Sequence, residues 1–405
     1  MSIEPFKRRR ALVHRPCVLL VAACFVVKVK AASMDFRPSL RFGLFHDGNI
    51  NVIGVGQGDD VAALSFDFVW DRNTPTTKFG LVYRPTYVYY RQASNLDYFA
   101  NTLEVDFTKE GSNQSQVNVS GFFTRTDRQG QTQFTADRAT TYVPRSTQTI
   151  VSLDIDGTVP AGRRGFLDWR VRGGVNLYTD LADNPDTPAV DPIDFNDSGW
   201  YSGRLDWRQE ISARNTVGLG FAAGHFGYEL TPGVVVASLG LVGTYQAGPL
   251  WNLDYAVGGS RATSDGSSDN GFTFDVTIQY AAGRASTFEA GARQVFAPGT
   301  GVGGATQDLG AWVSYSRNRT ERGLFGQALG GYWKRTALEF DAPATVGDTE
   351  TFNVAGSMGW AFNRFVALEA AYAFIDQKGT NGANSGFDTT YSTYGIYLRW
   401  AIRGR

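Results

Sequence analysis

The tetrapeptide LDWR occurs twice, as Leu167-Asp168-Trp169-Arg170 and as Leu205-Asp206-Trp207-Arg208. A carboxylate two positions from a guanidinium, between large apolar groups, has the chemistry of an acid–base pair or of a clamp on a polar ligand. Proton transfer near neutral pH calls for a histidine or a tuned carboxylate beside a nucleophile. Beyond residue 33 the chain holds only His46 and His225, and no nucleophile motif flanks either. Gly299, Gly301 and Gly304 match a G-x-G-x-x-G spacing but follow Pro298 in a connector, without the strand-to-helix turn a dinucleotide site needs. Asp180, Asp183, Asp186, Asp191, Asp194 and Asp197 crowd one connector without the spacing of a calcium loop, and read as a solvated loop. No enzyme chemistry, cofactor or metal is expected.

The N-terminus sets the compartment. Lys7, Arg8, Arg9, Arg10 and Arg15 precede the apolar run Cys17 to Val27, and Ala31 to Ser33 offer small residues for cleavage. That is the layout of a secretory signal peptide over residues 1–33, with an apolar core too short to span a bilayer as a helix. A lipoprotein reading with Cys24 as the modified residue is the alternative. Both cysteines, Cys17 and Cys24, fall in this segment, so the mature chain, 34–405, carries no disulfide. Cleavage removes seven Lys/Arg and one Glu from totals of 38 and 39, leaving a net charge of −7. An acidic chain is no nucleic-acid binder by charge.

The elements that position the charges are strands. The chain holds 47 Gly, 28 Phe, 18 Tyr and 9 Trp but no long apolar run after the leader. Leu64, Phe66, Phe68 and Trp70 alternate with Ser65, Asp67 and Val69. Phe272, Phe274, Val276, Ile278 and Tyr280 alternate with Thr273, Asp275, Thr277 and Gln279. A period of two with one apolar face is the strand signature. Such runs reach about ten residues, the length of a tilted strand crossing a membrane. They number about eighteen (16–18 by the same criterion). The phase is blurred at 115–126, 285–297 and 322–335.

Connectors largely alternate long and short, as between the two ends of a membrane barrel. The fold expected is all-β: a transmembrane, antiparallel, up-and-down β-barrel without a plug domain. Backbone groups in a bilayer find no water, so strands must close into a ring. The apolar face then meets lipid and the polar face lines a lumen.

In that arrangement Glu104, Asp106, Asp154 and Asp156 point inward from one side, followed by Arg170, Arg172, Arg204 and Arg208 with Asp168 and Asp206 among them. Arg84, Asp67, Asp254, Asp275, Glu289, Arg293, Glu369 and Arg399 add scattered lumenal charge. Trp169, Trp207, Trp70 and Trp400 are candidates for an interfacial aromatic girdle. For the strands carrying the two LDWR copies, a register placing Asp168 opposite Arg208 and Arg170 opposite Asp206 avoids like charges face to face. It leaves Arg172 facing Arg204 as an unpaired patch for solute contact.

Two stretches carry resemblances. Thr393, Gly395, Leu398 and Trp400 in TYGIYLRW resemble the C-terminal β-signal read by the barrel-assembly machinery of Gram-negative outer membranes, although Ala401 to Arg405 follow it. The Tyr-rich stretch from Val82 to Asp127 resembles β-barrel porins of exopolysaccharide and capsule export loci. That resemblance implies an outer-membrane conduit for a polysaccharide, working with a periplasmic polysaccharide export protein, in contact with outer-membrane lipid and lipopolysaccharide. Tyr90, Tyr178 and Tyr397, in the inward phase, would offer surfaces to sugar rings. A general diffusion porin for small hydrophilic solutes is the second reading, and an enzymatic, structural or adhesin barrel the third.

Overall fold

In a computed structural model of the chain, the structure describes residues 35–48, 58–111, 113–127, 147–179, 197–229, 232–298, 305–318, 322–338, 348–379 and 388–402. The leader over 1–33, the G-x-G-x-x-G match and all but the last of the clustered aspartates lie outside these residues.

Eighteen strands follow in chain order. The first six are β1 (Asp35–Asp47), β2 (Asp59–Asn73), β3 (Thr77–Tyr90), β4 (Tyr98–Glu110), β5 (Gln116–Thr126) and β6 (Thr147–Pro160). Next come β7 (Gly165–Thr179), β8 (Ser198–Ser212), β9 (Asn215–Tyr228), β10 (Val234–Gly248), β11 (Trp251–Ser264) and β12 (Ser267–Ala281). The last are β13 (Ser286–Pro298), β14 (Ala305–Arg317), β15 (Gly323–Ala337), β16 (Thr349–Ala361), β17 (Val366–Gly379) and β18 (Thr389–Ala401).

Each strand pairs antiparallel with its sequence neighbours, and β1 also pairs with β18 from Ser39 opposite Ala401 to Asp47 opposite Thr393. The ring is therefore closed and no ladder edge is left unpaired. The described residues form one barrel and contain no second domain.

Period-two patterning sorts the side chains. Phe42, Leu44, Leu64, Phe66, Tyr87, Phe99, Leu153, Val171, Leu205, Leu219, Leu239 and Val313 share one face across successive ladders, and all are exposed. Ser65, Asp67, Thr86, Thr102, Thr124, Asp308, Arg335 and Thr351 share the other and are buried. A single closed sheet can bury side chains only on its concave side, so the polar face is the inner one. Among strand residues, Phe296 and Ala305, at the ends of β13 and β14, and the glycines Gly157, Gly165 and Gly243 are the buried exceptions to this parity. An apolar belt facing outward on a closed ring is the arrangement of a transmembrane barrel.

Two of the three blurred strands, β5 and β15, have a physical cause. On β14 and β15 Trp312 and Trp333 point inward and stack on each other, ring centroids 5.7 Å apart and 11° from parallel. Their indoles lie across glycines of the preceding strands, Trp312 over Gly291 and Trp333 over Gly310, where any Cβ would collide with the ring. Apolar groups then occur on both faces and the period-two signal fades. Phe122 does the same inside β5, opposite Glu104.

One connector differs from expectation. Apolar alternation stops near 261 and resumes near 271, which reads as a connector of about nine residues, but β11 and β12 run on and meet at Asp265 and Gly266. Both have positive φ, 44° and 84°, which is the two-residue turn that Asp-Gly favours. The signal faded because Ser264, Ser267, Ser268, Asp269 and Asn270 prolong the ladder beyond the apolar belt. Apart from 229–233 between β9 and β10, the other connections at this end have six residues or more, and those at the other end have five or fewer. At the long-loop rim the β3–β4 connection, with a single 3-10 turn at Ser94–Leu96, folds against the wall. Ala93 and Leu96 pack on Val61, Val88, Tyr90, Tyr98 and Ala100. The Asp59 carboxylate accepts from the backbone N–H groups of Gln92 and Ala93, and that of Asp97 from Tyr90.

Candidate functional site

The inner wall from β4 to β8 brings together most of the charges that the sequence singled out. On β4 and β5 Asp106 accepts from the Ser120 hydroxyl at 2.8 Å, and Glu104 stands 3.9 Å from Arg84. Arg84 in turn donates to Asp67 at 2.5 Å, which also takes the Ser39 hydroxyl. On β6 and β7 Asp154 faces Arg172, and Asp156 faces Arg170. Arg170 does not pair straight across. Its Nε donates to both Asp154 oxygens at 2.9 Å, a diagonal contact, and Asp156 instead accepts from the Asn118 amide at 2.8 Å.

Between β7 and β8 the register differs from the one charge pairing predicts. Asp168 stands opposite Asp206, Arg170 opposite Arg204, and Arg172 opposite Ser202. The expectation of Asp168 opposite Arg208, and of an unpaired Arg172–Arg204 patch, is therefore wrong. Like charges directly opposite cost energy only if their charged ends meet. Here they diverge. Arg208 reaches diagonally to Asp168, Nε to Oδ2 at 2.5 Å, and the Thr158 hydroxyl donates to the other carboxylate oxygen at 2.6 Å. Arg204 turns along its own strand to Asp206, at 2.8 and 2.9 Å. Arg172 donates to the Ser202 hydroxyl at 3.0 Å, with its guanidinium 5.5 Å from the Trp200 ring centroid. A diagonal cross-strand neighbour is within reach of a long arginine side chain, so facing positions are a poor guide to arginine partners.

This register has a direct test. Residues opposite each other lie about 4.5–5.5 Å apart at Cα, inside disulfide range, whereas diagonals lie about 7–8 Å apart. Asp168→Cys with Asp206→Cys is expected to cross-link on oxidation of the refolded barrel, and Asp168→Cys with Arg208→Cys is not. The reverse result, read as gel mobility with and without reductant, would restore the charge-paired register.

The remaining candidates take these places. Trp70, Trp169, Trp207 and Trp400 all sit on the outer face towards the short-turn rim. Trp251, Tyr280, Phe288 and Tyr315 stand at the same rim, in successive ring contacts of 4.5, 6.3 and 4.7 Å. On β18 Leu398 and Trp400 face outward with Tyr394 and Ile396, and Thr393 and Gly395 face inward. His46 and His225 lie on the outer face near the long-loop rim. The first contacts Asp60 at 3.1 Å and stacks on Tyr394; the second stacks on Tyr201. Among the described residues no group of three His, Cys, Asp or Glu stands close enough to hold a metal ion.

Sequence reasoning missed the neutral partners Ser202, Ser120 and Asn118, and the inward Trp200. Inward parity shared with an arginine was the available signal: Trp200, Ser202 and Arg204 occupy consecutive inward positions of β8. It also missed the buried pair at the long-loop end of β14 and β15. There Arg335 grips Asp308 with two bonds of 2.9 Å, and the Thr306 hydroxyl donates to the same carboxylate.

No family model and no curated protein matches the sequence. Solved barrels match in shape only. OpdQ of Pseudomonas aeruginosa shares 14% identity over 91% of this chain and 97% of its own, with a TM-score of 0.42. OpdK of Pseudomonas aeruginosa, solved with vanillate, shares 13% over 91% and 98%, with a TM-score of 0.44. The ferric citrate transporter FecA shares 11% over 91% of this chain and 64% of its own, with a TM-score of 0.43. At these values no residue role passes from those proteins to this chain.

Proposed function

We propose that the chain is an outer-membrane channel of a Gram-negative bacterium that passes small hydrophilic solutes. The observation carrying this reading is the layering of charge on the inner wall. Each aspartate is short and lies low, while the arginine it holds stands out into the lumen. Side-chain exposures are 25%, 14% and 19% for Asp154, Asp206 and Asp168, against 50%, 45% and 34% for Arg170, Arg204 and Arg208. A solute moving past β6 to β8 therefore meets forked guanidinium donors held in place by a carboxylate backing. Pre-oriented donors that bind weakly and repeat along the path suit conduction better than tight capture. The even strand number, the outward apolar belt, the aromatic rows and the pattern of β18 support the outer-membrane location, with short turns on the periplasmic side.

Export of a polysaccharide draws less support. A sugar chain needs exposed ring faces along its path, yet Tyr90 and Tyr178 are buried, and Tyr397 lies beneath the Arg41 guanidinium at 4.1 Å. The purified barrel in planar bilayers is expected to conduct by itself, and in proteoliposomes to admit mono- and disaccharides and small acids. A pore that is silent alone and opens only with a periplasmic partner, together with loss of surface polymer on gene deletion, would reverse the order of the two readings.

A further inference from the structure

The outer wall is not uniformly smooth. A depression of about 470 Å³ opens on the outward face of β9 to β12, near the long-loop rim. Its apolar side is Phe221 and Leu239, which stand opposite each other on β9 and β10 and are both exposed; the small residues beside Leu239 are Ala237 on its own strand and Gly259 opposite it on β11. A Cβ at Gly259 would have nothing closer than 3.9 Å, so the small residue leaves open space and is not demanded by a neighbour. Directly above, towards the Asp265-Gly266 turn, stands Arg261, whose Nη2 donates to the Ser268 hydroxyl at 3.1 Å, with Asn270 opposite it across the ladder.

Arg261 faces away from the lumen. An arginine on the lipid face costs about 2–4 kcal/mol at the bilayer midplane and little near the interface. Among the described residues no carboxylate stands within ion-pair distance of it, whereas outward Lys334 has Glu350 at 3.4 Å. The site has the vertical order of a membrane lipid: cationic and hydroxyl donors towards the rim, and an apolar trough leading towards the midplane. A zwitterionic headgroup brings its own cation beside its phosphate; a phosphate of net negative headgroup charge accepts the guanidinium fork and balances it.

We propose that this groove binds a phospholipid of net negative charge from the leaflet at the long-loop end, the phosphate on Arg261 with Ser268 and Asn270, and one acyl chain over Ala237 and Gly259 against Leu239 and Phe221. The inference rests on the membrane-channel reading, because it needs the outer face to meet lipid. Native mass spectrometry of the full barrel in detergent tests it, with phosphatidic acid and phosphatidylcholine of equal chain length as probes and inorganic phosphate as a third arm. Wild type is expected to retain phosphatidic acid over phosphatidylcholine and to retain no free phosphate. Arg261→Gln should weaken retention of phosphatidic acid about tenfold, the loss of one charged hydrogen-bonding partner. Gly259→Leu, which fills the trough without touching the guanidinium, should weaken retention of both lipids. Arg261→Lys should keep a preference for phosphatidic acid.

Equal retention of the two lipids by wild type, or wild-type retention by both Arg261→Gln and Gly259→Leu, overturns the site. Capture of inorganic phosphate as strong as that of lipid overturns the lipid as occupant. Single-channel conductance separates this outcome from failure of the channel reading. Both substituted side chains point away from the lumen, so the variants should conduct as wild type does, and a wild type without conductance indicts the channel instead.

Discussion

Asp308→Ala is expected to destabilise the barrel by about 3–5 kcal/mol, the cost of leaving a buried charge without its partner. Asp308 and Arg335 are almost wholly shielded, directly opposite on β14 and β15, and joined by two parallel bonds. The walls around them, Thr306, Trp333, Thr349 and Thr351, are also buried, so water cannot easily replace the lost carboxylate. Denaturant unfolding of the refolded protein in micelles would report the loss as a lower midpoint. Asp308→Met combined with Arg335→Met should recover much of it, because removing both charges removes the desolvation penalty with them. A single variant as stable as wild type would mean that Arg335 is held by its other neighbours.

The second large effect is on selectivity. Replacing Arg170, Arg172 and Arg204 together by glutamine removes three lumenal guanidiniums from β7 and β8, keeps Arg208 on Asp168, and leaves Asp154 and Asp206 facing the lumen. A unit charge acts on an ion about 5 Å away with nearly 1 kcal/mol even at the dielectric constant of water. Three such charges, partly screened by salt, amount to more than 1.4 kcal/mol, so the cation-to-anion permeability ratio should rise about tenfold. The reversal potential in a salt gradient across a planar bilayer measures it, and the shift should shrink as salt is raised. Stability should change little, since ion pairs this exposed are worth little. An unmoved reversal potential would place the narrowest, selecting part of the lumen elsewhere.

These expectations depend on facts of different origin. That Arg170 and Arg204 face inward and Trp169 and Trp207 outward was legible from alternation alone, because a pleated strand turns successive side chains to opposite faces. That Arg170 stands opposite Arg204 was not. β7 and β8 are joined through 180–197, too long a connection to impose a register, and the charges accept two registers once arginines reach diagonally. Where the connection is tight, as at Asp265 and Gly266, the turn does set the register, and its dipeptide was there to be read. The inward Trp333 misled the pattern for the opposite reason: it obeys the lumen's packing, against Trp312 and over Gly310, and not its polarity.

By itself, then, the sequence determined an antiparallel ring of about eighteen strands with a polar inner and an apolar outer face. Both follow from local period and from the bilayer's refusal of unpaired backbone groups. Only the tertiary structure decided which charges pair, which aromatics turn inward, and where the outer wall opens a groove beneath Arg261. These depend on contacts between neighbouring strands, and nothing in the period of a single strand encodes its neighbour's register.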